Sequence, residues 1–196
     1  HFKRQVDFFH AGRVPHVHIC ATGEPFLHER IMDMIDYVIS VYGSVSFQSN
    51  LNPRLFAKYD YIDRILERKE HIDYIVTDLV AGDAASFGAI KKGSDFNELL
   101  ELLKIFSDHG VRLVASHIVT RSTYASLPRL IDVLAERGIR LHLSACNLYP
   151  YTFNAFTAME NVYRVEDAEI TRCLAQARER GQRHGIELSL PVPSGD

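Results

Sequence analysis

The residues able to do chemistry in this sequence gather at the ends of short apolar runs. Gly23-Glu24-Pro25, Ser49-Asn50, Thr77-Asp78, Thr120-Arg121 and Cys146-Asn147 each close such a run, and His117 falls near the end of the fourth. Leu148-Tyr149-Pro150 follows the fifth. Gly, Asn and Pro make turns, so turn formation accounts for each group singly. It does not account for Glu24, Asp78 and Arg121 arriving together on one rim. Carboxylates offer acceptors only, and a guanidinium offers paired donors in a fixed fork.

Histidines and cysteines suggest a different chemistry. His16-Val17-His18 places two imidazoles on one strand face, with His117 and His142 on later strands, a set that zinc accepts where the ligands converge. His16, His18 and His142 fall at the amino-terminal ends of their strands and His117 near a carboxyl end. A strand rises about 3.3 Å per residue, which separates them by most of a strand length. Cys20, Cys146 and Cys173 are odd in number and widely spaced, unlike a disulfide framework. They read as small buried or half-buried side chains in a reducing, cytoplasmic compartment.

The elements that must position these residues alternate between strand and helix. Ile31, Met34, Ile35, Val38 and Tyr42 recur at helical spacing, as do Phe96, Leu99, Leu100, Leu103 and Phe106, and Leu127, Leu130, Ile131 and Leu134. Asn52 before Pro53, Ser94 before Asp95, and Ser126 with Pro128 read as helix starts. Gly43, Gly110, Gly138 and Gly185 read as helix stops. Three junctions nearly repeat: Gly110-Val-Arg-Leu, Gly138-Ile-Arg-Leu and Gly185-Ile-Glu-Leu. The expected strands are 16–22, 44–49, 73–79, 111–119, 139–146 and 186–190, rich in Val, Ile and Leu as strands covered on both faces are. Helical crossovers between them imply a parallel sheet. A barrel and a doubly wound sheet both satisfy this pattern, and each places its ligand beyond the carboxyl ends of the strands.

Composition narrows the classes. The chain has 196 residues, is 46% hydrophobic and carries a formal net charge of -3. One core is expected at this length, and there is no basic surplus to advertise nucleic acid. The longest apolar runs are far short of the roughly 20 residues that span a bilayer, and no signal peptide opens the chain. The first residues read as the inside of a helix and 191–196 as a linker, so both ends look cut from a longer protein.

His18-Ile19-Cys20-Ala21-Thr22-Gly23-Glu24-Pro25 resembles the GGEP motif of the radical S-adenosylmethionine (radical SAM) superfamily, with Thr22 in place of the first glycine. Ser49-Asn50 stands where that family has Thr-Asn-Gly at a strand end. Tyr74-Ile75-Val76-Thr77-Asp78 is similar to a further family strand, and Ala89 to Phe96 to the approach to its next helix. The resemblance runs from about residue 8 to residue 150. It implies an α/β fold, a partial (β/α)6-type TIM-like barrel of parallel strands with its first βα unit missing or incomplete. The core would occupy residues 1–190.

The resemblance also implies roles. Gly23-Glu24-Pro25 would receive the amino group of the SAM methionine, and Ser49, Asn50 and Thr77 its ribose hydroxyls or carboxylate. Asp78 shares that rim, Arg121 would clamp the carboxylate, and Leu148-Tyr149 would offer backbone to the adenine. The family's CxxxCxxC loop, which ligates a [4Fe–4S] cluster, has no counterpart here, so the cluster ligands are expected outside this chain. Auxiliary clusters would belong to a carboxyl-terminal extension. The implied partners are a peptide or small-molecule substrate and an electron donor such as flavodoxin or ferredoxin. Without cluster and SAM, Glu24, Asn50, Asp78 and Arg121 are expected to stand unpaired. Two other readings remain: a metal-dependent TIM-barrel hydrolase, and a non-catalytic binding module that keeps the barrel.

Overall fold

The computed structural model describes residues 1–20, 23–147 and 168–190. Helix α1 (Phe2–Ala11) precedes strand β1 (His18–Ile19), then come α2 (Ile31–Tyr42) and β2 (Val45–Gln48). Helices α3 (Pro53–Lys58) and α4 (Tyr61–Leu66) lead to β3 (Ile72–Asp78), followed by α5 (Ala84–Ile90) and α6 (Phe96–Asp108). Strand β4 (Leu113–Val119), α7 (Leu127–Glu136), β5 (His142–Asn147), α8 (Ala168–His184) and β6 (Glu187–Ser189) complete the order. Six parallel strands form one sheet in the sequence order β1-β2-β3-β4-β5-β6, with helices flanking it.

All six expected strands form, most of them shorter than expected. The first is two residues rather than seven, and β4 and β5 begin two and three residues later than expected. The glycine stops stand as expected. Gly43, Gly110, Gly138 and Gly185 all have positive φ, between 64° and 83°, the left-handed conformation that ends a helix cheaply only when no Cβ is present.

Helix starts need two corrections. Asn52 does cap α3, its side chain accepting from Arg54 N and Leu55 N. At α6 the cap is Asp95, not Ser94: Asp95 Oδ1 accepts from Asn97 N and Glu98 N. A carboxylate is the better partner for the positive end of a helix. Ser126 does not cap α7 either. Its hydroxyl donates backward to the Thr123 carbonyl, within the turn that precedes the helix.

The chain forms two compact units, His1–Thr77 with Ile105–Leu113, and Asp78–Lys104 with Val114–Asp196. In the first, Phe26, Phe47, Phe56, Tyr61 and Phe106 make one aromatic core, with ring centroids 4.7 to 6.4 Å apart. In the second, Gly82 admits no side chain. A Cβ there would lie 2.5 Å from Leu130 N and Ser126 O, so the backbone after β3 lies directly against the start of α7.

The second unit also buries His117 completely, on the face of β4 that carries Leu113, Ala115 and Val119. Its Nδ1 lies 2.6 Å from the Leu79 carbonyl, an acceptor only, so Nδ1 carries the proton. Burial pushes this imidazole below the usual histidine range, against the opposing pull of the carbonyl. The folded state therefore binds fewer protons than the unfolded chain below about pH 6.5. Stability lent by neutral His117 is intact above that pH and is lost on acidification, by at most about 1.4 kcal/mol per pH unit. Urea unfolding between pH 7.5 and 5 is expected to show this decline in the native protein. His117→Gln is expected to be less steep over the same range, and an identical slope would locate the acid sensitivity elsewhere.

Candidate functional site

The carboxyl ends of β1 and β2 are joined by one carboxylate. Glu24 Oε1 accepts from Phe26 N at 3.0 Å and from Ser49 Oγ at 2.8 Å, and Glu24 Oε2 accepts from Asn50 N at 2.6 Å. Phe26 N is the first-turn donor of a short 3-10 helix, Pro25–Leu27, so Glu24 is also its N-cap. Pro25 pre-sets the helical φ and has no N–H to leave unsatisfied. Gly23 is exposed, with no atom within 4 Å of where a Cβ would stand.

The Ser49-Asn50 turn is strained and tied in place. Leu51 has φ 48° and is fully buried. A left-handed non-glycine residue costs about 1–2 kcal/mol, and here it occupies the place of the glycine in the resembled Thr-Asn-Gly motif. Ser49 Oγ offsets this by accepting from Leu51 N at 2.9 Å while donating to Glu24. Ser49 is buried, and its proton is given to Glu24.

Other expected site residues fall differently. Thr77 shares a fully buried face of β3 with Ile75, and its Oγ1 has no hydrogen-bond partner. Side chains alternate along a strand, so Thr77 and Asp78 point to opposite faces. Asp78 is not unpaired as expected: Lys91 Nζ lies 2.9 Å from its Oδ2. Glu24 likewise is not left unpaired, because three donors of its own chain hold it. Asn50 and Arg121 are exposed. Thr22, Leu148 and Tyr149 lie outside the described residues.

The cysteines differ from expectation at one position. Cys20 is exposed, its thiol 3.4 Å from Gln48 Oε1, whereas Cys146 and Cys173 are half-buried. Burial, and secondarily the charge of Asp78, pushes the Cys146 thiol up. Iron ligation needs thiolates that converge. Among the described residues no three His, Cys, Asp or Glu side chains are placed to hold a metal ion, so these cysteines do not fit a cluster. The histidines named for a hydrolase metal have other partners: Ser46 for His16 and His18, the Leu79 carbonyl for His117, and Glu187 and Ser189 for His142.

No protein-family model matches this sequence, and no curated protein does. Solved structures do. SuiB from Streptococcus suis superposes with a TM-score of 0.74 at 16% identity, over 97% of this chain and 42% of that one. This chain has the fold of the radical SAM partial barrels. SuiB has also been solved bound to S-adenosylmethionine, with a TM-score of 0.69 and 17% identity over 96% of this chain and 40% of that one. A third SuiB structure holds its precursor peptide SuiA. The protein anSMEcpe with bound AdoMet matches with a TM-score of 0.69 at 13% identity, covering 96% of this chain and 53% of that one. A domain of pyruvate-formate lyase-activating enzyme from Bacteroides vulgatus matches with a TM-score of 0.62 at 14% identity, over 90% and 99% of the two chains. The chain thus spans about two fifths of SuiB. At these identities the likeness establishes the fold. Among the described residues no helix is long and apolar enough to cross a membrane.

Sequence reasoning missed Phe26. Its ring, 1% exposed, packs 4.7 Å from Phe56, 5.0 Å from Tyr61 and 5.3 Å from Phe47, and so anchors the turn that carries Glu24. The available signal was an aromatic residue directly after Gly-Glu-Pro, and nothing in the sequence names its partners. Phe26→Ala is expected to cost about 3–5 kcal/mol in denaturant unfolding, and Phe26→Leu clearly less. A cost below about 1 kcal/mol for Phe26→Ala would show that the aromatic core does not hold this turn.

Proposed function

We propose that this chain is the S-adenosylmethionine-binding core of a radical SAM enzyme. The observation that supports it most is the Glu24 clasp, an acidic turn held at the strand ends of a fold also found in proteins solved with S-adenosylmethionine bound. An ammonium has three donors and no acceptor, so the carbonyls and carboxylate of Gly23-Glu24-Pro25 suit the methionine amino group. Asn50, on the same clasp, is assigned to the ribose or carboxylate. Arg121 is assigned to the carboxylate, which a planar fork meets bidentately. Asp78, paired with Lys91, and Leu148-Tyr149 retain the roles implied by the resemblance. Thr77, whose buried Oγ1 has no hydrogen-bond partner, keeps the ribose or carboxylate role implied by the resemblance.

In this reading a [4Fe–4S] cluster, held by residues outside this chain, would supply the electron for reductive cleavage of S-adenosylmethionine and so the radical chemistry that removes hydrogen from the substrate. The residues of this chain bind, orient and exclude water. The substrate is a peptide or a small molecule; the peptide-bound SuiB structure supports the former. An external reductant such as flavodoxin or ferredoxin is the electron donor.

The test is Glu24→Gln in the enzyme carrying its complete chain and cluster. Removing the charge from an anchored carboxylate is expected to weaken S-adenosylmethionine binding at least about tenfold, read by calorimetry, while the visible absorption of the cluster stays unchanged. Unaltered affinity would overturn the assignment of the site.

A further inference from the structure

A second polar assembly sits at the opposite ends of the same strands. His18 on β1, Ser46 on β2 and Tyr74 on β3 stand side by side in the parallel register. His16, two residues before His18, turns its Nε2 to the same hydroxyl. Ser46 Oγ lies 2.7 Å from His16 Nε2 and 2.7 Å from His18 Nδ1. On the far side of His16, Asp73 Oδ2 is 3.3 Å from Nδ1. Ser44 Oγ donates to that same carboxylate oxygen at 2.7 Å, and an Arg112 nitrogen lies 3.8 Å from Oδ1. Tyr74 stacks on both imidazoles, with centroids 6.1 and 5.9 Å apart and planes within 26° of parallel. Among the described residues, Asp73, Tyr74, Ser44, Ser46 and Arg112 are thus the polar and charged groups that face the pair.

One hydroxyl has one proton to give. Ser46 is fully buried, so water cannot serve as a spare partner for it. It must donate to one imidazole and accept from the other while both are neutral. Asp73 accepts only, which places the His16 proton on Nδ1 and leaves Nε2 bare. Ser46 then donates to His16 and accepts from His18 Nδ1–H. That leaves His18 Nε2, on a ring whose residue is exposed, as a hydrogen-bond acceptor.

A proton on His16 reverses the chain. His16 Nε2–H now donates to Ser46, Ser46 donates to His18 Nδ1, and His18, having given up its Nδ1 proton through Ser46, carries a solvent-derived proton on Nε2. The outer nitrogen of His18 changes from acceptor to donor although His18 gains no charge. Asp73 Oδ2 stays the acceptor for His16 Nδ1–H in both states. His18 is held below the usual histidine range, by burial first and by the charge of His16 second, consistent with its staying neutral when His16 is charged.

We propose that Asp73, His16, Ser46 and His18 form a proton-relay site in which protonation of His16 switches the exposed nitrogen of His18 from hydrogen-bond acceptor to donor. Such a site bonds an ammonium or amide donor in one state and a carboxylate or phosphate oxygen in the other. The protons balance: one from solvent binds the exposed His18 Nε2, the His18 Nδ1 proton passes to the Ser46 hydroxyl, and the Ser46 proton passes to His16 Nε2, so the site takes up one proton and the charge rests on His16.

The experiment is two-bond 1H–15N NMR of the full chain labelled at histidine nitrogen, titrated from pH 8 to pH 5. His18 is expected to be the Nδ1–H tautomer at pH 8 and the neutral Nε2–H tautomer once His16 has titrated. Ser46→Ala is expected to break the link, so that the His18 tautomer no longer follows His16. A native His18 that keeps one tautomer from pH 8 to pH 5 overturns the proposal, as does a His18 tautomer that still switches in Ser46→Ala.

Discussion

The first unit depends on where the Glu24 carboxylate puts its two oxygens. A carboxylate can accept several hydrogen bonds, and donors strengthen when the acceptor is charged. Here one oxygen serves the turn after β1 and the Ser49 hydroxyl, and the other serves the backbone of Asn50. Two strand ends and a strained turn thereby share one anchor. The strain at Leu51 persists because Ser49 is held from both sides, by Glu24 and by Leu51 N. The aromatic core beneath supplies the apolar half of the same arrangement through Phe26.

Alternation along the strands divides the polar residues between two environments. On β3 the buried face carries Ile75 and Thr77, and the other carries Tyr74, Val76 and Asp78. This is why adjacent residues in one motif, Thr77 and Asp78, differ in what they can meet. It is also why His18, Ser46 and Tyr74 stand in one row although they are far apart in the sequence: parallel pairing puts residues of equal height side by side. Strand ends of opposite sense therefore carry different chemistry, with an acidic clasp at one and paired imidazoles at the other.

The second unit also pairs polar groups across its chain. His117 spends one nitrogen on the Leu79 carbonyl, and Asp78 is matched by Lys91. Gly82 has its identity imposed by the backbone of α7, 2.5 Å from where a side chain would begin. None of these constraints is local, and each closes a contact between segments separated by 13 or more residues.

The sequence by itself determined the strand–helix alternation and its stops. A glycine in left-handed conformation and an apolar run of strand length are local properties, governed by sterics and by burial on both faces. It also marked Gly23-Glu24-Pro25 and Ser49-Asn50 as places where chemistry collects. What only the tertiary structure decided was which groups are spent on one another. Glu24 and Ser49 are 25 residues apart, and His16 and Ser46 are 30 apart, so no spacing rule could pair them. The same holds for Asp95 displacing Ser94 as a cap and for the buried face of Thr77. Those outcomes depend on strand register and helix entry, which fix the directions of side chains that composition leaves free.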